Sequence, residues 1–168
     1  ANEAYQESGQ VCEQLGRRTH QAVSLGNQGE LLLRMHRIDE AKEVLEASLA
    51  LCRETNFKAE GAFLTYMGRA HRLQGDFDTA ATTLEQSVVM LRETAQVSHL
   101  AVALCERGLL ALARRDVAKA KSALVEAEKI ALNMEANPQS DLGFAVIELR
   151  QGLSEYVPWY KAIFRRGT

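Results

Sequence analysis

Apolar residues recur along most of the chain at the spacing of amphipathic helices, and residues 57–95 show this pattern clearly. Two apolar stripes occur there, the first at Phe63, Leu64, Met67 and Ala70 and the second at Ala80, Leu84, Val88 and Leu91. The segment GDFD at 75–78 separates them. Glycine is typical of a helix end and aspartate of a helix N-cap, so the pattern predicts two helices joined by a short turn.

The same pair of helices is predicted three times. Residues 25–55, 64–94 and 104–134 align without a gap, with glycine at Gly29, Gly68 and Gly108 and leucine at Leu45, Leu84 and Leu124. Aligned alanines at Ala1, Ala41, Ala80 and Ala120 give a period of 39–40 residues. A fixed period of this size is typical of helical repeat arrays. We expect repeats at about residues 18–56, 57–95 and 96–136.

The two ends of the chain differ from these repeats. Residues 4–12 match residues 44–52, which predicts a half-repeat at 1–17. Residues 139–156 form a further helical stretch without the glycine–turn–alanine signature, so we expect a capping helix. Residues 157–168 are aromatic and basic and include Trp159. They could fold back on the capping helix, dock on another chain or seed a dimer, or contact a membrane surface.

The repeated motifs resemble the tetratricopeptide repeat family. The resemblance covers roughly residues 1–134 and lies in L-G-N-x-G at 25–29, G-D-F-D-x-A at 75–80 and R-D-V-A-x-A at 115–120. It implies an all-α fold, a right-handed αα-superhelix of about three full helix pairs with a half-repeat and a capping helix. The period exceeds the usual 34 residues, so the chain looks like the long variant of kinesin light chain and bacterial regulatory proteins. His36 and Arg37 stand in a turn where the family usually has glycine, so we expect a tighter or strained turn there.

The resemblance also implies a concave groove lined by the first helix of each pair. The positions that such a groove would present to a ligand are Asn27, Glu30, Arg34, Arg69, Arg72, Leu109 and Leu112. Guanidinium groups would suit an acidic peptide, and the two leucines would take its apolar side chains. The arginines could equally form a solvated face paired with Glu30, and Asn27 could hydrogen-bond within its own helix pair. His71, near Arg69 and Arg72, is either a packed residue or a ligand contact.

Composition and charge give little reason to expect chemistry. The net charge is −2 and the pI near 6.1, so nothing drives binding to nucleic acid or an anionic membrane. Three widely spaced cysteines, Cys12, Cys52 and Cys105, indicate buried thiols in a reducing cytoplasm, with a reactive cysteine as the alternative. The four histidines are scattered, and no H-E-x-x-H or G-x-S-x-G motif occurs. We expect no enzyme, metal site or cofactor.

Two classes of function follow from this reasoning. The first is a protein–protein interaction module that binds a peptide or partner domain in its groove, as a fragment of a larger cytoplasmic protein that starts without methionine. The second is a regulatory or sensor domain of a bacterial signalling protein, whose repeats control an attached kinase, ATPase or transcription regulator. A homodimer could form through the half-repeat or the aromatic tail.

Overall fold

The computed structural model describes the backbone of residues 2–156 and the side chains of residues 14–156. This part of the chain folds into seven helices and contains no strand: α1 (Asn2–Arg34), α2 (Ile38–Thr55), α3 (Glu60–Gln74), α4 (Phe77–Glu93), α5 (Val97–Ala113), α6 (Val117–Asn133) and α7 (Asp141–Glu155). The prediction of an all-α helical repeat is confirmed. Residues Ala1 and 157–168, with Trp159, lie outside the described residues, as does the Cys12 side chain.

The helices group into two compact units. Unit 1 is Ala1–Ala95 and holds α1 to α4; unit 2 is Gln96–Thr168 and holds α5 to α7. Each unit is built from antiparallel helix pairs, because short turns join α1 to α2, α3 to α4 and α5 to α6.

Left-handed residues end the first helix of every pair. His36, Gly75 and Arg115 have φ angles of 57°, 83° and 64° and stand 39 and 40 residues apart. In each turn the next amide reaches back to a carbonyl of the helix, as Asp76 N does to His71 O at 3.0 Å. Only glycine adopts this backbone conformation without steric cost, so the strain expected at His36 is present.

Aspartate caps the second helix in two of the three pairs. The Asp76 carboxylate accepts from Thr79 N at 3.2 Å, and Asp116 accepts from Lys119 N at 3.0 Å. In the first pair Arg37 holds this place and its side chain caps nothing, while Asp39 lies inside the first turn of α2. The first pair therefore lacks the cap that the other two pairs have.

The predicted half-repeat at residues 1–17 is not a helix of its own. Instead, α1 continues through residue 17 and forms the first helix of the first pair as well. The physical reason is the lack of a strong helix breaker at this point: Gly16 is the weak helix former there, and one glycine costs only about 1 kcal/mol relative to alanine.

In unit 1 the repeated residues make repeated contacts. A methyl group added to Gly29 would lie 2.5 Å from Leu45 Cγ, and one added to Gly68 would lie 2.6 Å from Leu84 Cδ2. The hydroxyl of Ser48 donates to Ala22 O at 2.7 Å. The glycines thus let each first helix approach its second helix closely, and buried polar groups bond across the crossing.

The aligned serine, Ser87, repeats this bond in the second pair. It donates to Gly61 O at 2.7 Å, 39 residues after the Ser48 bond, and lies 2.7 Å from the Thr65 hydroxyl. Ser48, Ser87 and Thr65 are buried, so these hydroxyls serve packing and are not open to a ligand.

Unit 2 uses its helices differently. A methyl group on Gly108 would lie 2.5 Å from Leu149 Cδ2 of α7, and 3.2 Å from Ala123 Cβ of α6. Leu124, aligned with Leu45 and Leu84, is only half-buried. Helix α7 begins at the Ser140 cap, whose hydroxyl accepts from Gly143 N at 3.2 Å. Through Leu149, helix α7 contributes a leucine to the core of the third pair.

Candidate functional site

The first helix of unit 1 carries three of the predicted site residues. Asn27 is exposed on α1. Arg34 donates from Nε and a terminal nitrogen to Glu30 Oε1, at 3.0 and 2.6 Å. The four-residue spacing makes this an intrahelical ion pair, of the kind that contributes about 0.3–0.5 kcal/mol. The pairing with Glu30 that the sequence allowed as an alternative is therefore present for Arg34.

The two arginines predicted on the second unit of the repeat lie on α3. Arg69 and Arg72 are three residues apart, so they share one face of the helix, and both are half-buried. They follow Thr65, which is only 2% exposed and faces Ser87. Their half-burial means that part of each arginine side chain is covered by neighbouring residues.

Helix α3 packs directly on α1 at a glycine. The ring of Phe63 lies against Gly26, and a methyl group there would collide with it. Asn27 follows Gly26 on α1, but its side chain is exposed. The first helices of unit 1 together carry three arginines and one glutamate among the predicted site residues.

The two predicted leucines belong to unit 2 and take part in its internal packing. Leu109 and Leu112 are half-buried on α5. A methyl group on Gly152 of α7 would lie 3.0 Å from Leu112 Cδ1 and 3.8 Å from Leu109 Cδ2. The repeat alignment missed this contact, because nothing in the sequence showed which helix α7 would approach. A role of these leucines toward a partner stays a prediction.

The structure also contains a cavity that the sequence did not predict. Its volume is about 280 Å³, and it lies where α2, α3 and α4 meet, lined by Glu46, Leu49, Arg53, Leu64, Met67, His71, Thr83 and Gln86. His71 lies here with its side chain only 15% exposed, and its Nδ1 is 3.7 Å from Asp76 Oδ2. The sequence held one indication of this cavity. Leu64, Met67 and His71 are spaced so that they lie on one face of a helix.

Burial controls the acid–base behaviour of this histidine. Desolvation lowers the pKa of His71 below its ordinary value, and the positive charge of Lys42 lowers it further. The carboxylates of Asp76 and Glu46 oppose that shift. The folded protein therefore favours the neutral imidazole at this position.

Comparison with known families agrees with this geometry. Residues 20–93 match the model of the tetratricopeptide repeat family. The matched stretch runs from within α1 to the end of α4 and lies within unit 1. Tetratricopeptide repeats generally mediate protein–protein interaction and are typically non-catalytic scaffolds. No curated protein matches the chain.

The two cysteines whose side chains the structure describes are packing residues. Cys52 on α2 and Cys105 on α5 are fully buried. Burial raises the pKa of Cys52 to about 11 and the pKa of Cys105 to about 12. A raised pKa favours the protonated thiol at neutral pH. The prediction of buried thiols is confirmed for these two residues.

A survey of the described residues finds no candidate metal centre. Within residues 14–156, no three or more His, Cys, Asp or Glu side chains form a group that could hold a metal ion. None of the seven described helices is long and apolar enough to cross a membrane.

Proposed function

We propose that the chain is a protein-interaction module in which the first helices of unit 1, α1 and α3, bind an acidic peptide segment of a partner protein. The observation that carries this proposal is the pair Arg69 and Arg72, two half-buried arginines on one face of α3. Charge-assisted hydrogen bonds are stronger where the partners are partly removed from water, and an arginine fork matches a carboxylate.

Other residues of the same surface support an acidic ligand. Glu30 is paired with Arg34 on its own helix, so the acidic side chain of this set is already compensated. Asn27 is exposed on α1 and can hydrogen-bond the backbone of an extended peptide. For unit 2 we propose separately that the half-buried Leu109 and Leu112 contact apolar side chains of a partner protein.

The repeated residues of the second helices support this assignment by elimination. Leu45, Leu84, Ser48 and Ser87 are all buried in contacts with the first helices. Recognition then falls to positions where the repeats differ. We also propose the long-period form of the repeat, since the serine bonds recur after 39 residues.

The test is binding of an array of acidic, neutral and basic peptides to the wild type and to the double variant Arg69→Glu/Arg72→Glu. A charge-assisted hydrogen bond contributes about 1.5–3 kcal/mol, so we expect affinity for acidic peptides to fall by tenfold or more. The matched control is Arg114→Glu/Arg115→Glu, which makes the same charge change at exposed positions of unit 2.

The result that contradicts the proposal is equal binding of acidic peptides to the wild type and to the α3 variant. Because both arginines are half-buried, the milder Arg69→Gln/Arg72→Gln variant and a circular dichroism melt accompany the measurement. They separate loss of the binding groups from loss of the fold.

A further inference from the structure

Helix α7 keeps the buried positions of α3. The residues of α3 that face the neighbouring pair are Phe63, Leu64, Met67 and Ala70, and all four are buried. The residues 79 positions later in the chain are Leu142, Gly143, Val146 and Leu149, and these are also buried. By its register, α7 corresponds to the first helix of a helix pair.

One face of α7 departs from this correspondence. On α3 that face is buried under α4, through Gly61 against Leu91 and through Thr65 against Ser87. The residue of α7 that corresponds to Thr65 is Phe144, and it is 51% exposed. The residue that corresponds to the buried Gly68 is Ile147, and it is half-buried. Among the described residues, α7 lacks the partner helix that α4 provides for α3.

A cavity beside α7 also reflects the lack of a partner helix among the described residues. A cavity of about 470 Å³ lies on α6 and α7, lined by Glu128, Ala131, Leu132, Glu135, Ala136, Val146 and Arg150. Four of these, Glu128, Leu132, Val146 and Arg150, lie 79 positions after lining residues of the unit 1 cavity, Leu49, Arg53, Met67 and His71.

Of these two cavities, only the one in unit 1 is also lined by the second helix that follows, which is α4. There Thr83 and Gln86 of α4 complete the lining. In unit 2, no described residue takes their place, and the side chain of Leu132 is 79% exposed.

We propose that residues 157–168 of the same chain occupy this place and pack on α7 as α4 packs on α3. The order of the chain supports this occupant. In each pair the second helix follows the first after two or three residues, namely 35–37, 75–76 and 114–116. A partner for α7, which ends at Glu155, would begin near residue 158, and Pro158 is favoured at the first position of a helix.

The sequence of this segment fits the open face. Its aromatic and aliphatic residues come in two adjacent pairs four positions apart, Trp159–Tyr160 and Ile163–Phe164. That spacing places them on one side of a helix, as a partner of Phe144 requires. A helix over residues 158–168 would have eleven residues and would span about 16 Å. Running antiparallel to α7 from near Glu155, it would reach back to about Phe144.

Charge complementarity points to the same occupant. The segment carries Lys161, Arg165 and Arg166. The cavity beside α7 presents Glu128 and Glu135, of which Glu128 accepts a hydrogen bond from Arg150 at 2.7 Å. Basic side chains flanking an apolar stripe would therefore meet carboxylates flanking an apolar groove.

The test uses Trp159, the single tryptophan of the chain, as a reporter. Its emission maximum and its quenching by iodide are measured for the wild type and for Phe144→Lys over a range of protein concentrations. We expect a blue-shifted, poorly quenched tryptophan in the wild type and a severalfold larger quenching constant in the variant. The matched control is Val89→Lys on α4, where an apolar side chain is 46% exposed.

Three results would overturn the proposal. The first is a wild-type Trp159 that is as accessible to iodide as free tryptophan. The second is protection that grows with protein concentration, because a second copy would then cover α7. The third is a Phe144→Lys variant in which Trp159 stays protected. The reciprocal variant Phe164→Asp gives an independent measurement, and far-ultraviolet circular dichroism checks that each variant is folded.

Discussion

In unit 1 the glycine of each first helix meets a leucine of its own second helix, whereas in unit 2 the aligned glycine meets a leucine of α7. Gly68 faces Leu84, but Gly108 faces Leu149. Leu124, which the alignment makes the counterpart of Leu84, is only half-buried. The same residue type therefore fills the same kind of gap, although it comes from a different helix.

The buried serines differ between the units in a similar way. Ser48 and Ser87 each bond a backbone carbonyl of their own first helix in unit 1. In unit 2 the aligned residue is Ala127, which is fully buried and has no hydroxyl. Sequence repetition thus means identical contacts only where the neighbouring helices are identical, and the third pair has a different neighbour in α7.

Truncation of leucine side chains should test this difference between the units most directly. Removing a fully buried leucine side chain costs about 2–5 kcal/mol. We expect Leu84→Ala to lie near the middle of that range and Leu124→Ala near 1 kcal/mol, because Leu124 is only half-buried. The free energy of unfolding of each variant is measured by urea denaturation. Leu149→Ala is the third arm and should resemble Leu84→Ala.

Equal losses for Leu84→Ala and Leu124→Ala would show that the third pair packs like the first two. The same measurement tests α7, because a small loss for Leu149→Ala would mean that α7 adds little to the core of unit 2.

Glycine substitution is the next largest expected effect. A methyl group on Gly68 would lie 2.6 Å from Leu84, and overpacking of this kind costs about 1–3 kcal/mol. We expect Gly68→Ala to lower the melting temperature accordingly. Gly16→Ala is the matched control, because nothing lies within 4 Å of its added methyl group. It should stabilise α1 by up to about 1 kcal/mol. A Gly68→Ala variant as stable as Gly16→Ala would exclude a close helix crossing.

Most of the fold follows from local sequence. The helix pairs, the glycine and aspartate of GDFD and the buried leucines depend on spacing along the chain, which the sequence displays directly. The pair Arg34–Glu30 has the four-residue spacing of an intrahelical ion pair and was predictable for the same reason.

Other features depend on helix crossings that spacing does not encode. Gly108 aligns with Gly68, but the leucine nearest to it comes from α7. The contact of Gly152 with Leu109 and Leu112 was missed for this reason. The half-repeat predicted at residues 1–17 differs from the structure for another reason. Similarity of residues 4–12 to a second helix does not create a turn, and α1 continues to Arg34.

The smallest effect that we expect is on the pH dependence of stability. It should also differ between the two units. Position 71 is a histidine in unit 1, whereas the aligned residue of unit 2 is Ala111. Because burial holds the pKa of His71 below 6.5, the unfolded chain takes up its proton more readily than the folded one. The stability that this site contributes is complete above pH 6.5 and is lost as the pH falls through the folded-state pKa.

We therefore expect the wild type to lose more stability than His71→Gln between pH 7.5 and pH 5, as measured by urea denaturation at each pH. His99→Gln, at an exposed position of α5, shows what removing an imidazole does in unit 2. Lys42 on α2 provides a second comparison, since Lys42→Gln removes a positive charge that disfavours the protonated ring. That variant should lose less stability in acid than the wild type. Parallel curves for the wild type and His71→Gln would mean that His71 titrates alike in the folded and unfolded chain. The cavity of unit 1 would then not desolvate its imidazole.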